Sequence, residues 1–550
     1  ALADIWAEVL RLERVGRHDN FFRLGGHSLL AITLIERMRS AGLHANVRSL
    51  FTHPTLSELA LEVGSASGAI VVPANLIPAD CTALTPEMLP LVRLAEKDIA
   101  RIVSAVPGGA ANVQDIYPLA PLQEGILFHH LASETGDVYL LSSLFSFDSR
   151  SLLNRFVQAV QAVIDRHDIL RTAVQWDGLA EPVQVVWRTA PLVVEEVSLD
   201  AADGDIGAQL RARCDARGYR LDVRTAPMIR ALVARDDDNG RWVLLCLFHH
   251  LVMDHTTLEV VQREVDAHMA GQPLPPTYPF RNFIAQARLG VSKEEHEAFF
   301  TAMLGDVDDV TAPYGMINVH GDGAGIEETT TMLDASLARR LRERARDLSV
   351  SAASLCHLAW AQVLARISGR TDVVFGTVVF GRMHGGEGAD RALGMFINTL
   401  PIRIRIDGAS VRDSVRDVHA SMTRLLRHEH ASLTLAQRCS AVAAPTPLFS
   451  TLLNYRHAGA MDESPVSSEA VQSRQGIEML GAQERTNYPL ALSVDDMGEG
   501  FSLTAQVQSP MDAQQICGYM HTALESLVQA LESAPATPLR ELNVLPQQER

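Results

Sequence analysis

Phe248-His249-His250-Leu251-Val252-Met253-Asp254-His255 sets three histidines and a carboxylate directly behind the apolar run WVLLCLF. Neutral imidazole takes or gives a proton near pH 7, so it can act as a general base or position an attacking amine. Side chains of a strand alternate between faces. If the strand persists through the pair, His249 and His250 point opposite ways and only one of them can face a substrate. Asp254 falls in the following turn, where it can pair with a cation and hold the loop. Three readings compete here: a structural histidine pair with a helix-capping Asp, a metal site, and acyl transfer. The spacing is not the HExxH of helical zinc sites and the HHLVMDH segment holds no Cys, so the reading is no metal.

Two further stretches carry chemistry. Phe128-His129-His130-Leu131-Ala132-Ser133-Glu134-Thr135-Gly136-Asp137 holds a second histidine pair and, taken alone, reads as a helix ending in a polar turn at Gly136. Asp19-Asn20-Phe21-Phe22-Arg23-Leu24-Gly25-Gly26-His27-Ser28-Leu29-Leu30 places two glycines before an apolar helix. Glycine frees the backbone there, which leaves Ser28 on an exposed loop tip at the helix start. An isolated serine in that place would read as a helix N-cap.

The elements that must position these residues follow from periodicity. Leu2, Ile5, Trp6, Val9 and Leu10 recur at helical spacing, SLLAITLIERMRSAG puts Leu30, Leu34 and Met38 on one face with Gly42 as C-cap, and TLSELALEVG starts a short helix after Pro54. Residues 1–64 thus predict a small helical bundle. Residues 65–88, rich in Gly, Pro and small residues, predict a linker. Beyond them PVQVVW, APLVVEEV, IRALVA, WVLLCLF, DVVFGTVVFG and INTLPIRIRI read as strands, and SLARRLRERARDL and SLCHLAWAQVLARI as amphipathic helices. Regular strand–helix alternation is missing, so the class is α+β with two lobes, at 89–290 and 291–540.

Length and composition narrow the function. A chain of 550 residues holds roughly three to four compact units. The net charge of −18 excludes a general nucleic-acid binder, which needs clustered Lys and Arg. No apolar run reaches membrane-spanning length. Cys81, Cys214, Cys246, Cys356, Cys439 and Cys517 lie far apart, which suggests no disulfide framework and fits a reducing cytoplasm. The opening ALADIWAEVL has no basic region or cleavage site, and both ends of the sequence read as cuts from a longer protein.

DNFFRLGGHSL followed by an amphipathic helix resembles the core motif of the peptidyl carrier domains of nonribosomal peptide synthetases. The resemblance covers residues 1–64 and implies that Ser28 carries 4′-phosphopantetheine, whose thiol holds an aminoacyl or peptidyl group. HHLVMDH resembles the HHxxxD motif of synthetase condensation domains, with His255 in place of the usual Gly. Tyr117-Pro118-Leu119-Ala120-Pro121-Leu122-Gln123-Glu124-Gly125, Arg166-His167-Asp168-Ile169-Leu170-Arg171-Thr172 and Leu393-Gly394-Met395-Phe396-Ile397-Asn398-Thr399-Leu400-Pro401 resemble other motifs of that family in order. Phe375-Gly376 through Gly381-Arg382 is similar to the strand whose Arg pairs with the motif Asp. The resemblance implies a small four-helix carrier bundle followed by two chloramphenicol-acetyltransferase-like lobes in a V. It implies His250 at the centre of a tunnel, a structural role for His249, and an Asp254–Arg382 ion pair. Residues 541–550 would begin a linker to a following adenylation domain. The implied partners are a downstream aminoacyl carrier, adenylation domains upstream and downstream, and a phosphopantetheinyl transferase.

The pattern HHLxxxxGD at His129, His130 and Asp137 resembles the signature of dual epimerization/condensation domains. Such domains invert the α-carbon of the tethered donor residue from L to D and then join it to the acceptor by a peptide bond. The alternative is a plain condensation domain that accepts a D-configured donor made elsewhere. A pure epimerase and a catalytically silent scaffold are further readings. Whether His129 and His130 act chemically or shape the donor entrance stays open at this point.

Overall fold

Helices α1 (Leu2–Leu10), α2 (Ser28–Ser40), α3 (Val47–Thr52) and α4 (Leu56–Glu62) form the small N-terminal bundle. Trp6, Phe21, Phe22, Leu34, Met38, Leu50 and Leu59 fill its core, and each is at most 2% exposed. Gly42 ends α2 in the left-handed conformation, φ 76°, which glycine adopts without steric cost. Thr55 and Glu58 close α4 with reciprocal capping bonds. The structure is a computed structural model. It describes residues 1–26, 28–43, 45, 47–63, 70–319, 321, 325–382, 392–457, 474–483 and 485–549, without the side chains of 28, 29, 32, 36, 40, 48 and 548.

The first lobe contains α5 (Glu96–Ala105), β1 (Val113–Pro118), α6 (Pro121–Ala132), β2 (Leu140–Phe147), α7 (Arg150–Arg166), β3 (Thr172–Gln175), β4 (Val183–Trp187), β5 (Val193–Glu196), α8 (Ile206–Arg213), β6 (Ile229–Asp236), β7 (Arg241–His249), α9 (His255–Met269) and α10 (Arg281–Leu289). The second contains α11 (Lys293–Leu304), β8 (Ile326–Met332), α12 (Ala335–Leu348), α13 (Ala352–Ser368), β9 (Asp372–Val379), β10 (Asn398–Arg405), α14 (Val411–Leu426), α15 (Leu433–Arg438), β11 (Thr451–His457), β12 (Ile477–Gln483), β13 (Leu490–Asp496), β14 (Phe501–Gln508) and α16 (Ala513–Ser533). The strands form sheets in the orders β1-β4-β3, β12-β2-β7-β6-β5 and β10-β9-β11-β13-β14-β8. Among the described residues no single helix is long and apolar enough to cross a membrane. The apolar α13 is buried from Ala353 to Ala365 in the core of the second lobe.

The lobe boundary drawn from sequence is crossed twice. Strand β12 leaves the second lobe and pairs antiparallel with β2 of the first, Ile477 opposite Phe147. Ala392, Leu393, Met395 and Phe396 likewise pack into the apolar core of the first lobe. Periodicity marks a segment as a strand but cannot say which sheet edge it completes.

Two stretches read as linkers are packed where they are described. Ile77 and Cys81 are buried against the first lobe, Arg281 donates to the Pro73 carbonyl, and Arg188 donates to that of Pro78 at 2.6 Å. At the other end Leu542 and Val544 are buried, and Tyr519 donates to Glu549 at 2.7 Å. Proline and small residues block helix and strand, yet they leave isolated apolar side chains free to fill hollows.

The N-terminal bundle rests on the second lobe. Phe22 and Phe51 enclose the His419 ring of α14 at centroid distances of 5.8 and 6.4 Å, and Phe380 and Leu426 pack against the bundle core. Ser354 Oγ lies 3.0 Å from His419 Nδ1. Burial pushes the His419 imidazole down to about 4, so it is neutral at pH 7. Once uncovered it would return towards an ordinary value near 6.5. Between those values the undocked state binds more protons, so lowering pH through that window favours undocking. We predict that His419→Glu, which sets a carboxylate under two aromatic rings, lowers the docked population at least about tenfold, equivalent to about 1.4 kcal/mol. An increased radius of gyration by solution scattering is the measurement, and an unchanged radius refutes it.

Candidate active site

Strand β7 ends at His249, which pairs across the sheet with Leu140. The chain then turns, with Val252 N–H donating to the His249 carbonyl at 3.2 Å. His249 is 0% exposed, while His250 is half-buried and lines a cavity of about 1310 Å³. The cavity lies between the lobes: Pro121, His129 and Tyr139 line it from one side and Asn398, Asn454 and Tyr488 from the other. The two neighbouring histidines therefore face opposite ways, one into protein and one into the cavity.

His250 is held at both its backbone and its ring. Its N–H donates to the Tyr139 carbonyl at 2.9 Å. Its Nδ1 donates to the Met253 carbonyl at 2.7 Å. A carbonyl can only accept, so the proton sits on Nδ1 and the basic lone pair on Nε2. Such a nitrogen can take a proton from an ammonium or an activated C–H, or hold an amine by accepting its hydrogen bond.

The second histidine pair is divided in the same manner. His130 Nδ1 lies 2.6 Å and His249 Nε2 2.9 Å from the same atom, Asp137 Oδ2. Asp137 Oδ1 accepts the Tyr139 N–H at 3.0 Å. Burial alone would raise the Asp137 carboxyl, but the bonds from His130 and His249 hold it well below the ordinary carboxylate range. Burial pushes the His249 imidazole down, against the pull of Asp137. His129 is half-buried and lines the cavity, its ring centroid 6.0 Å from that of Tyr139. Consecutive helical residues differ by about 100° around the axis, so α6 sends His130 inward and His129 outward. Gly136 is required here: its φ is 72°, and a Cβ would stand 2.5 Å from the Ala216 carbonyl oxygen that accepts the Asp137 N–H.

His130, Asp137 and His249 bring three potential metal ligands within 4.8 Å of one another. The hydrogen bonding opposes a metal. Leu251 N–H donates to His249 Nδ1 at 3.1 Å, which puts the ring proton on Nε2, the nitrogen a metal would need. The cluster is a carboxylate clamped between two imidazoles.

Asp254 caps α9 by accepting the Thr257 N–H at 2.7 Å. It also accepts the Phe396 N–H at 3.2 Å and Arg382 Nη2 at 3.4 Å. Arg382 is 1% exposed, stacks on the Phe396 ring at 4.0 Å and donates to the Ala392 carbonyl at 2.6 Å. Thr257 Oγ1 donates to the Gly394 carbonyl at 2.8 Å. The loop before β10 is thus bonded onto the turn that carries His250. Close approach makes Gly381 necessary: its φ is 69°, and a Cβ would fall 1.7 Å from the Phe396 carbonyl oxygen.

The other sequence motifs brace the same turn. Gln123 Nε2 donates to the Leu251 carbonyl at 2.7 Å while its Oε1 accepts the Ala120 N–H. His167 bonds Glu264 of α9 at 2.8 Å, and Asp168 accepts the Phe280 N–H at 3.0 Å. His255, at the start of α9, is exposed beside Glu259 at 3.6 Å. Ser28 opens α2, but its side chain lies outside the described residues. The loop before it fits a close approach: Gly25 has φ 97°, and a Cβ on Gly26 would strike the Phe21 ring at 2.3 Å. Sequence reasoning missed Tyr139 and Thr257. The only signal for Tyr139 was its place two residues after Asp137.

Comparison with known proteins gives a consistent result. The Condensation domain family model matches residues 113–550, and that of the Phosphopantetheine attachment site matches residues 1–63. Malpibaldin synthetase of Mortierella alpina is 51% identical over 551 residues, which take in all of this chain and 10% of that protein. Malpinin synthetase of the same organism is 51% identical over all of the chain and 7% of that protein. One of the linear gramicidin synthase proteins of Brevibacillus parabrevis is 30% identical over 85% of the chain and 6% of its own length. The chain thus spans about a tenth or less of these relatives. Among solved structures, the condensation domain of a monacolin K polyketide synthase has a TM-score of 0.60 at 20% identity over 78% of this chain and 100% of its own. A four-domain nonribosomal peptide synthetase solved with AMP and glycine has a TM-score of 0.63 at 16% identity over 79% of this chain and 34% of its own.

We predict that Arg382→Ala, which leaves the buried Asp254 carboxylate without its cation, lowers stability by about 3–5 kcal/mol. Chemical denaturation checks this; a loss below about 1 kcal/mol is inconsistent with it. Asp137→Ala, which strands two buried imidazole N–H groups, is expected to cost about 2–6 kcal/mol in the same measurement.

Proposed function

The chain belongs to the Condensation domain family and carries a phosphopantetheine-attachment domain ahead of it, with Ser28 as the attachment residue, and from that premise we propose that it inverts a tethered donor residue and then condenses it. The group on Ser28 supplies a flexible arm whose thiol carries an acyl group as a thioester. The donor is an L-aminoacyl or peptidyl thioester and the acceptor is an aminoacyl thioester on a downstream carrier. The product is a peptide bond whose donor residue is D.

The observation that carries the condensation reading is His250, with Nδ1 committed to Met253 and its ring set at a cavity lined by both lobes. In bond formation His250 accepts a hydrogen bond from the acceptor amine, orients it towards the donor carbonyl and takes up its proton as the amide forms. A cavity of about 1310 Å³ exceeds an ordinary small-molecule pocket of roughly 300–1000 Å³ and suits two tethered substrates at once. Asp254, Arg382 and His249 touch no substrate in this scheme and hold the turn.

Support for inversion comes from the second histidine segment. His130 and Asp137 are bonded into the same turn as His249, and Tyr139 is shared with His250. The same basic nitrogen can remove the α-proton beside the thioester carbonyl, with the electron pair moving onto the carbonyl oxygen. The chain would act with adenylation domains upstream and downstream and with a phosphopantetheinyl transferase. Its six unbridged cysteines suit a reducing cytoplasm.

We predict that Ser28 loaded with an L-aminoacyl arm and incubated in deuterated water without acceptor gains α-deuterium and D-configuration. Absence of both rejects the epimerase reading and leaves condensation of a ready-made D-donor. With a loaded downstream carrier added, His250→Ala should lose condensation by about 10²–10⁴-fold while Ser28 is still loaded. Retained condensation removes His250 from the centre of the mechanism.

A further inference from the structure

Arg382 lies between two aromatic rings that belong to different parts of the fold. Its guanidinium stacks on Phe396 at 4.0 Å and stands over the Phe380 ring at 5.6 Å. Phe396 packs into the apolar core of the first lobe, whereas Phe380 packs against the core of the N-terminal bundle. Both distances are within reach of a cation–π attraction, which strengthens where water is excluded. Strand β9 ends at Val379, so Phe380 and Gly381 lead directly from the sheet to Arg382. Gly381 N–H donates to the buried Glu429 carboxylate at 3.1 Å. Leu426, whose carbonyl accepts the Glu429 N–H at 3.4 Å, also packs against the bundle. The bundle therefore covers both supports of the segment that carries Arg382.

The bond that this segment serves is a marginal one. Arg382 Nη2 stands 3.4 Å from Asp254 Oδ1, at the long limit of a hydrogen bond. A guanidinium shift of roughly a few tenths of an ångström decides whether it holds. Asp254 in turn caps α9 and accepts the Phe396 N–H, which ties the turn carrying His250 to the loop before β10. Unseating the bundle bares Phe380 and lets water reach that side of Arg382, and water weakens the attraction between the two charges. We infer that Phe380 is a positioning residue for His250, which acts through Arg382 and Asp254 and does so only while the bundle is seated on it. The bundle thus has a second task beside delivering the arm on Ser28: its seating tightens the turn at which the arm is used. This rests on the proposed part of His250 in bond formation and is independent of inversion.

Amide hydrogen exchange of the whole unloaded chain tests this without substrate. The reporters are the Thr257 and Phe396 N–H groups, both held by Asp254. His419→Glu, which unseats the bundle, is expected to speed their exchange about three- to thirtyfold, the range that a cation–π contact spans. Phe380→Leu keeps an apolar side chain under the bundle but removes the ring from Arg382. It is expected to give the same acceleration with an unchanged radius of gyration, while Phe380→Tyr, which restores a ring face, exchanges as wild type. Wild-type exchange of the β14 amides verifies that the second lobe stays folded in each variant. Wild-type exchange of both reporters in His419→Glu or in Phe380→Leu overturns the role. Turnover gives the second readout: a Ser28→Ala chain is supplied with a soluble aminoacyl thioester as donor and a loaded downstream carrier as acceptor. Adding His419→Glu is expected to lower kcat by a similar factor and to leave KM for the soluble donor unchanged. An unchanged kcat means that the bundle only delivers its arm, which overturns the inference. If the wild-type chain loaded at Ser28 forms no peptide bond, the condensation reading itself fails, and the exchange measurement still decides what Phe380 does.

Discussion

A carboxylate buried between the lobes is the constraint on which the rest depends. Asp254 is 1% exposed and accepts bonds from the first turn of α9, from the Phe396 N–H and from Arg382. A buried charge is tolerated only when paired and fully hydrogen-bonded. That requirement fixes the turn after β7 against the loop before β10, and with it the position of His250 at the junction of the lobes.

The turn that carries His250 is therefore supported from several sides. Gln123 holds the Leu251 carbonyl, Asp137 holds the His249 ring, and Tyr139 holds the His250 N–H. Gln123 and Asp137 belong to stretches that stood out in the sequence, whereas Tyr139 lies two residues beyond one of them. Holding such a frame costs conformational freedom but leaves His250 with one tautomer and one orientation, which is what proton transfer in a fixed geometry needs. The strand exchange of β12 onto β2 serves the same end, because β2 is the strand paired with the histidine-bearing β7.

The parts of the site that were legible in sequence were those whose local pattern carries direction. The strand stops at His249, so the opposite facing of His249 and His250 comes with the turn that follows, while Asp254 caps the next helix as its position before an apolar helix suggests. The assignment of His129 and His130 was not legible, because neighbouring residues near a helix end point about 100° apart and nothing local says which of the two meets the core. Tyr139 and Thr257 carry no motif of their own; their importance comes from a carbonyl and a hydroxyl placed by remote strands and loops. The packing of the linker stretches was not legible for a related reason: Ile77, Leu542 and Val544 are isolated apolar residues whose burial depends on hollows in another part of the chain.

Sequence by itself determined the helical bundle with Ser28 at a helix start, the α+β character of the remainder, and the residue types that can move a proton. These are properties of short-range periodicity, of glycine before a helix and of imidazole chemistry. Only the tertiary structure decided that His249 and His130 share one carboxylate while His250 and His129 share one cavity. It also decided that β12 and residues 392–396 cross between lobes, and that the bundle sits over His419. Those outcomes depend on which surfaces remain for burial once every local element has formed, and no short stretch of sequence contains that information.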